Sequence, residues 1–84
     1  MILPAEEPGG AEALLFVVIY QNPIDFPGKY VVRDQYVIGS RIESAIEPRA
    51  IVDSLDEARR RVPWGMVCLA RSPEDDPVIV ESWI

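Results

Sequence analysis

The longest unbroken apolar segment of the chain is ALLFVVIY, at residues 13–20. A membrane-spanning helix needs about twenty apolar residues, so this segment is too short to cross a bilayer as a helix. Its length is that of a β-strand, and no polar residue interrupts it. Residues 14–20 are therefore predicted to form a central strand that is covered on both faces.

Valine and isoleucine dominate the apolar content, with ten and nine copies in 84 residues. Their β-branched side chains favour strands over helices, and a chain of this length forms one domain with a thin core. We predict a single α+β domain over residues 13–84. Residues 1–12 combine prolines, glycines and glutamates without an apolar period, and are expected to form a flexible lead.

KYVVRDQYVIG (29–39) predicts a second strand, in which Asp34 is the one polar member of an otherwise apolar face. A β-bulge near Asp34-Gln35 would accommodate it. The segment 40–48 is compatible with a helical turn or a loop, and RAIV (49–52) predicts a short third strand.

SLDEARRRVPWG (54–65) is predicted to form the helix. Ser54 and Glu57 have the spacing of a capping box, Asp56–Arg60 and Glu57–Arg61 have the spacing of helical ion pairs, and Pro63 ends the element.

Two more strands are predicted at 66–71 and 78–84, joined as a hairpin through 72–77. Alternation places Ile79, Glu81 and Trp83 on one face of the last strand. The complete prediction is a small, mostly antiparallel sheet of four to five strands with one helix packed on it, in the order βββαββ.

The formal charge of −6, from fourteen acids against eight bases, opposes binding to nucleic acid or an anionic membrane. A single cysteine excludes an intrachain disulfide and fits a reducing compartment. The first residues lack the basic start and cleavage site of a secretory signal. We therefore expect a cytoplasmic protein.

Glu74, Asp75 and Asp76 are the strongest candidate metal ligands. Calcium loops, however, space their ligands at alternate positions around a glycine, and this segment has neither feature. The flanking Pro73 and Pro77 favour a turn. We expect no metal and no cofactor.

The absence of histidine removes the usual nucleophile–base pairs. Cys68 lies between Val67 and Leu69 and is predicted to be a buried, unreactive thiol. Carboxylate-only catalysis remains as an alternative, through Asp25, Asp34, Glu43 or Glu81, but no spacing pairs any two of them.

The function that we expect is non-enzymatic: a binding or regulatory module that acts through protein–protein contact or self-association. Arg33, Tyr36, Trp64 and Trp83 are the predicted exposed anchors, and short edge strands offer further contacts. A nucleic-acid-associated regulator that uses the dispersed arginines and the trio at 59–61 is the first alternative, and a carboxylate-based enzyme is the second.

YVVR (30–33), SLDEARRRVPWG (54–65) and DDPVIVESWI (75–84) resemble motifs of a family of small uncharacterised proteins from bacteria and their phages. That family has a V-V-R strand, an S-L-x-E-A-R helix start, a P-x-G turn and a closing D-D-P-x-I-V-E-x-W. The resemblance covers most of residues 14–84, excluding the proline-bearing insert before the second strand. It implies a fold and a cellular setting, and no activity.

Overall fold

The α+β class predicted from the sequence is found in the structure. The computed structural model describes residues 13–71 and 75–84, so the expected flexible lead at 1–12 and residues 72–74 lie outside the described residues. Within that part of the chain the elements are β1 (Ala13–Gln21), β2 (Tyr30–Ile38), β3 (Arg41–Ser44), β4 (Ala50–Val52), α1 (Leu55–Arg60), β5 (Cys68–Leu69) and β6 (Ile79–Trp83).

All pairings in the sheet are antiparallel, and the strand order is β3-β2-β1-β6-β5. β4 also pairs with β2, at the Tyr30–Val32 end that β3 leaves free. The uninterrupted apolar run forms β1, which is hydrogen-bonded to β2 on one side and β6 on the other. Its predicted central position is confirmed, and its middle residues Val17, Val18 and Ile19 are buried on both faces, whereas Leu14 is exposed.

The described sheet has six strands, and β3 is the one that the sequence did not predict. It forms in the segment that was compatible with a helical turn or a loop. Gly39 and Ser40 make a two-residue turn that pairs Ile38 with Arg41. Gly39 has a φ of 61°, which the first position of a type II′ hairpin turn requires and glycine adopts without strain.

The predicted bulge near Asp34 is wrong, because β1 and β2 keep one continuous register from Ala13–Ile38 to Gln21–Tyr30. The irregularity lies in β6. Ile19 pairs with Glu81 but Tyr20 pairs with Ile79, so Val80 is an extra residue. It moves Ile79 to the opposite face from Glu81 and Trp83, contrary to the simple alternation predicted for this strand.

The capping residues of α1 are those predicted. The Glu57 amide donates to Ser54 Oγ (3.1 Å), and the Asp53 amide donates to the Glu57 carboxylate (3.2 Å). The predicted ion pairs of Arg60 and Arg61 with Asp56 and Glu57 are not found. In the described part of the chain, no helix is long and apolar enough to cross a membrane.

The main core cluster lies between α1 and one face of the sheet, and Val18 and Val31 are also buried on the other face. Ala58 of the helix packs with Val17, Ile19, Val32 and neighbouring side chains of β4. Ala58 is completely buried, and its small side chain allows the helix to approach the sheet closely. The buried side chains of the described residues are five valines, one isoleucine and two alanines, and larger, partly buried side chains such as Leu15, Leu55 and Trp83 pack against them.

Candidate functional site

The sheet has a second face, on which the described residues place no helix. Side chains alternate along a strand. This face therefore carries the side chains of the strand residues that do not point towards Ala58. We call it the open face. Its strand positions are Leu14, Phe16, Val18, Tyr20, Val31, Arg33, Gln35, Val37, Ile42, Ser44, Ile51, Leu69, Ile79 and Ser82.

The open face extends one position beyond the strands. Val67 and Ile84 are joined by two backbone hydrogen bonds of 2.8 and 2.9 Å, so they lie opposite each other. They alternate with Cys68 and Trp83, which point to the helix side. The apolar surface of the open face thus reaches the end of β6.

Exposed aliphatic side chains concentrate on this face. Ten large apolar side chains are exposed among the described residues, and six of them are on the open face: Leu14, Ile42, Ile51, Val67, Leu69 and Ile84. Ile42 is the most exposed of the six, at 69%.

An apolar concavity of about 310 Å³ lies within the open face. It extends across the sheet from Ile42 on β3 to Leu69 on β5. Its floor and walls include Phe16, Val18, Val37 and Ile79. Such a depression can receive an apolar side chain of another molecule.

A second, more polar concavity of about 450 Å³ adjoins Arg33. The guanidinium donates to the carbonyl oxygens of Ala45 (3.0 Å) and Ile46 (3.2 Å), and one nitrogen lies 3.5 Å from Asp25. The side chain is only 17% exposed. Arg33 thus holds the connection after β3 against the sheet, and its charge is already compensated.

Tyr20 and Gln35 separate the two concavities. Gln35 Nε2 donates to the Tyr20 hydroxyl (2.6 Å). Burial raises the pKa of Tyr20, partly opposed by the positive charge of Arg33. The phenol therefore stays in its neutral form.

The four predicted anchors do not form one site. Arg33 is on the open face, whereas Tyr36 pairs with Glu43 on the helix side of the sheet. Trp64, in the turn after the helix, is 99% exposed. Trp83 is partly buried against the core, so the exposure predicted for Arg33 and Trp83 is not found.

Trp83 belongs to a small polar cluster on the helix side. Its indole N–H donates to Glu81 (3.2 Å), and the same carboxylate receives a two-point contact from Arg59 of α1. The contact with Arg59 holds the pKa of Glu81 below its usual value, against the effect of partial burial. This cluster joins the helix to the last strand.

Cys68 is exposed, so the prediction that it is buried is wrong. It lies at an edge strand only two residues long, which leaves one side uncovered. Neighbouring atoms and the Glu81 charge nevertheless raise the pKa of the thiol, partly opposed by Arg59. A raised pKa disfavours the reactive thiolate.

Several of the described arginines are in ion pairs, whereas Arg60 and Arg61 are exposed and have no described ion pair. Arg49 makes a two-point ion pair with Asp34 (2.8 and 2.9 Å), Arg59 pairs with Glu81, and Arg41 lies 3.3 Å from Glu43. Acids and bases are interspersed. The nucleic-acid alternative stays a prediction.

The acidic segment is a turn where it is described. The Ile79 amide donates to the Asp76 carbonyl (2.8 Å), with Pro77 at the second turn position. The Val78 amide donates to the Asp76 carboxylate (3.1 Å). Glu74 lies outside the described residues, and those described contain no group of three or more acids or cysteines that could hold a metal ion.

Sequence reasoning missed Ile42, Leu69 and Leu14 as surface features. The available signal was Gly39-Ser40 between two alternating segments, which is a hairpin pattern and would have placed Ile42 beside Val37. No family model, no curated protein and no solved structure matches the chain. The resemblance of its motifs to the small bacterial and phage proteins stays a prediction.

Proposed function

We propose that this protein is a non-enzymatic binding module that contacts another polypeptide through the open face. The observation that carries the proposal is the concentration of exposed aliphatic side chains on one sheet face around an apolar concavity. Burying such a surface is favourable by roughly 25 cal/mol per Å². Arg33 is the one charged side chain at the described strand positions of this face.

The face is a better contact surface than the strand edges. β5 has two residues, β4 has three and β3 has four. Edges this short offer few backbone groups for pairing with an added strand, which is one way in which proteins prevent edge-to-edge association. The contact is therefore proposed to depend on side chains.

The chemistry of the two concavities fits a polypeptide partner. Among the described residues each concavity is lined by one carboxylate, Asp25 in the polar one and Asp75 at the apolar one. Arg33 is compensated by Asp25 and two carbonyl groups, which limits its attraction for a polyanion. Apolar side chains of a partner would instead fill the space between Ile42 and Leu69.

The test is an affinity capture with immobilised wild-type protein and two variants. Ile42→Glu puts a charge at the edge of the apolar concavity. Ile24→Glu makes the same change at a loop residue that is 99% exposed and lines neither concavity. The bait is offered a lysate of the source organism and, separately, a free copy of the chain.

We expect wild type and Ile24→Glu to retain the same polypeptide and Ile42→Glu to lose it, because a desolvated, unpaired charge opposes contact. Equal retention by all three, or no polypeptide retained from either source, would contradict the proposal.

A further inference from the structure

We infer that the turn after α1 is a second contact surface, on which Trp64, Arg60 and Arg61 bind an acidic segment of another polypeptide. Trp64 lines neither concavity of the open face, so the inference goes beyond the proposed function. The segment carries aspartate or glutamate beside an apolar side chain. The apolar side chain packs on the indole, and the carboxylates pair with the two arginines.

Trp64 is displayed to solvent, although the turn that carries it is held in place. The residue is 99% exposed, so it contributes little to the packing of the chain. Val62 and Met66, two positions before and two after it, both pack against the core cluster. Gly65 completes the turn with a φ of 92°, which glycine adopts without strain. The indole is therefore presented from an anchored stretch of backbone.

Two arginines close to Trp64 carry charge that no described acid compensates. Arg60 and Arg61 are exposed and have no described ion pair, whereas Arg59 is held by Glu81. Arg61 is three positions before Trp64, so their Cα atoms are at most about 11 Å apart. Both side chains are long, and one bound segment can therefore contact the indole and a guanidinium together.

The chemistry of these three side chains indicates an acidic partner. Tryptophan and arginine are enriched among the residues that contribute most to protein interfaces. A guanidinium can hold a carboxylate by two parallel hydrogen bonds, and an indole offers a large, rigid apolar surface. Because the charge of Arg60 and Arg61 is not used within the described chain, carboxylates of a partner are complementary to it.

Nucleic acid and an anionic membrane also carry negative charge, but the rest of the chain opposes both. The formal charge of the chain is −6, and Asp56 and Glu57 lie in the first turn of the same short helix. A polyanion or a charged membrane extends well beyond the turn, so it also meets these surrounding acids. A short acidic segment can contact the turn alone. This difference in extent favours a polypeptide.

The test is a selection from a displayed library of random short peptides on three immobilised baits: wild type, Trp64→Ala and Ile42→Glu. The Ile42→Glu bait excludes peptides that bind the open face. We expect a set of peptides that wild type and Ile42→Glu retain and that Trp64→Ala loses. This set should be enriched in aspartate and glutamate next to apolar residues. If circular dichroism shows that Ile42→Glu has unfolded, the comparison of wild type with Trp64→Ala decides.

A synthetic peptide from this set is then titrated against variants of the full chain. Trp64→Ala should weaken its binding by at least about 10-fold, because the indole supplies the apolar part of the contact. Ile24→Ala truncates a residue that is equally exposed, and should leave the affinity unchanged. Both positions are on the surface, so neither change should unfold the chain.

The arginines are tested in the same titration. The double variant Arg60→Gln/Arg61→Gln should weaken binding by about 3- to 10-fold, and added salt should weaken the binding of wild type in the same direction. Arg41→Gln is the matched control, because it removes an exposed positive charge that already lies 3.3 Å from Glu43. This control should bind the peptide as wild type does.

A selected set without an excess of acids, or a selection that yields no peptide dependent on Trp64, would overturn the inference. So would tighter binding of a thymidine oligonucleotide, or of vesicles of phosphatidylcholine and phosphatidylserine, that is lost in Trp64→Ala. These results leave the proposed function in place, because that function is tested through Ile42.

Discussion

Polar residues within β2 are compensated by residues that follow it in sequence. Asp34 lies on the helix side and is paired with Arg49, whereas Arg33 lies on the open face and is held by the Ala45 and Ile46 carbonyls. A partly buried charge without partners would be costly. The two neighbouring residues therefore fix the segment between β3 and β4 from both faces of the sheet.

Glu81 has a comparable role between the helix and the last strand. Hydrogen bonds from Arg59 and from the indole of Trp83 stabilise its ionised form. These contacts lower its pKa from the usual 4.5, although partial burial acts in the opposite direction. A group whose pKa is lower in the folded chain than in the unfolded chain stabilises the fold above its unfolded pKa.

Replacing Glu81 with glutamine should therefore change the pH dependence of stability. Wild type should exceed Glu81→Gln in unfolding free energy at neutral pH. The difference should shrink as the pH falls below about 4.5 and through the lower folded pKa. Urea unfolding at a series of pH values measures this difference.

Glu47→Gln removes the same charge at an exposed position without a described partner, and controls for the change in net charge. If the difference in unfolding free energy between wild type and Glu81→Gln stays constant from neutral to acidic pH, the carboxylate does not stabilise the fold through its ionised form.

At the scale of elements, the β2–β3 hairpin places Ile42 beside the apolar concavity. Arg41, Ile42, Glu43 and Ser44 are all exposed, so packing contributes little to holding this strand. Its position depends on the turn and on pairing with β2. The conformation of Gly39 is consequently the local feature on which this edge of the open face depends.

Gly39→Ala should destabilise the protein through the backbone alone. An added Cβ would have no heavy atom within 4 Å, so there is no clash, but φ is 61°. We expect a loss of about 1–2 kcal/mol in unfolding free energy, measured by chemical denaturation at fixed concentration.

Gly39→D-Ala, made by chemical synthesis, is the matched comparison, because a D-residue adopts this turn conformation without strain. It should cost less than L-alanine. Equal costs for the two variants, or none for either, would mean that the turn conformation does not limit stability.

Helix α1 is short, but its N-terminus is well capped. α1 has six residues, fewer than an isolated helix requires. Ser54 and Glu57 satisfy amides at its start, and Ala58 anchors it to the core. Its stability is thus mostly tertiary.

For the whole molecule, the thin core sets a small margin of stability. Globular proteins have roughly 0.05–0.15 kcal/mol of stability per residue, or about 4–12 kcal/mol for a chain of this length. One well-packed side chain contributes a large part of such a total. This is the physical context in which burial of the open face by another chain would be worth most.

Truncating Ile19 tests this margin. Ile19→Ala should cost about 3–4 kcal/mol, because the side chain is fully buried between sheet and helix. Ile24→Ala removes the same atoms from a loop residue that is almost completely exposed, and should change stability by less than about 0.5 kcal/mol.

Urea unfolding of both variants at one protein concentration provides the comparison. A loss of less than about 1 kcal/mol in unfolding free energy for Ile19→Ala would indicate that the core relaxes easily. The stability of the protein would then not depend on these few buried side chains.

Local signals in the sequence determined the class of fold and most of its elements. The apolar run of β1, the alternation of β2 and the Ser54–Glu57 cap each depend on residues within a few positions of one another. Such patterns act through backbone conformation and nearest neighbours, so they hold before any tertiary contact is known. The Gly39-Ser40 turn is also a local signal, although β3 was not predicted from it.

Only the tertiary structure decided which face of the sheet is covered. Alternation shows that Val17 and Val18 point to opposite sides, but both are apolar, and the helix could pack on either. The extra residue at Val80, the partners of Arg33 and Asp34, and the exposure of Cys68 likewise depend on contacts between distant segments. One short helix covers one side of a sheet that is apolar on both, and on the other side Val18 and Val31 are buried whereas Leu14, Ile42 and Leu69 are exposed.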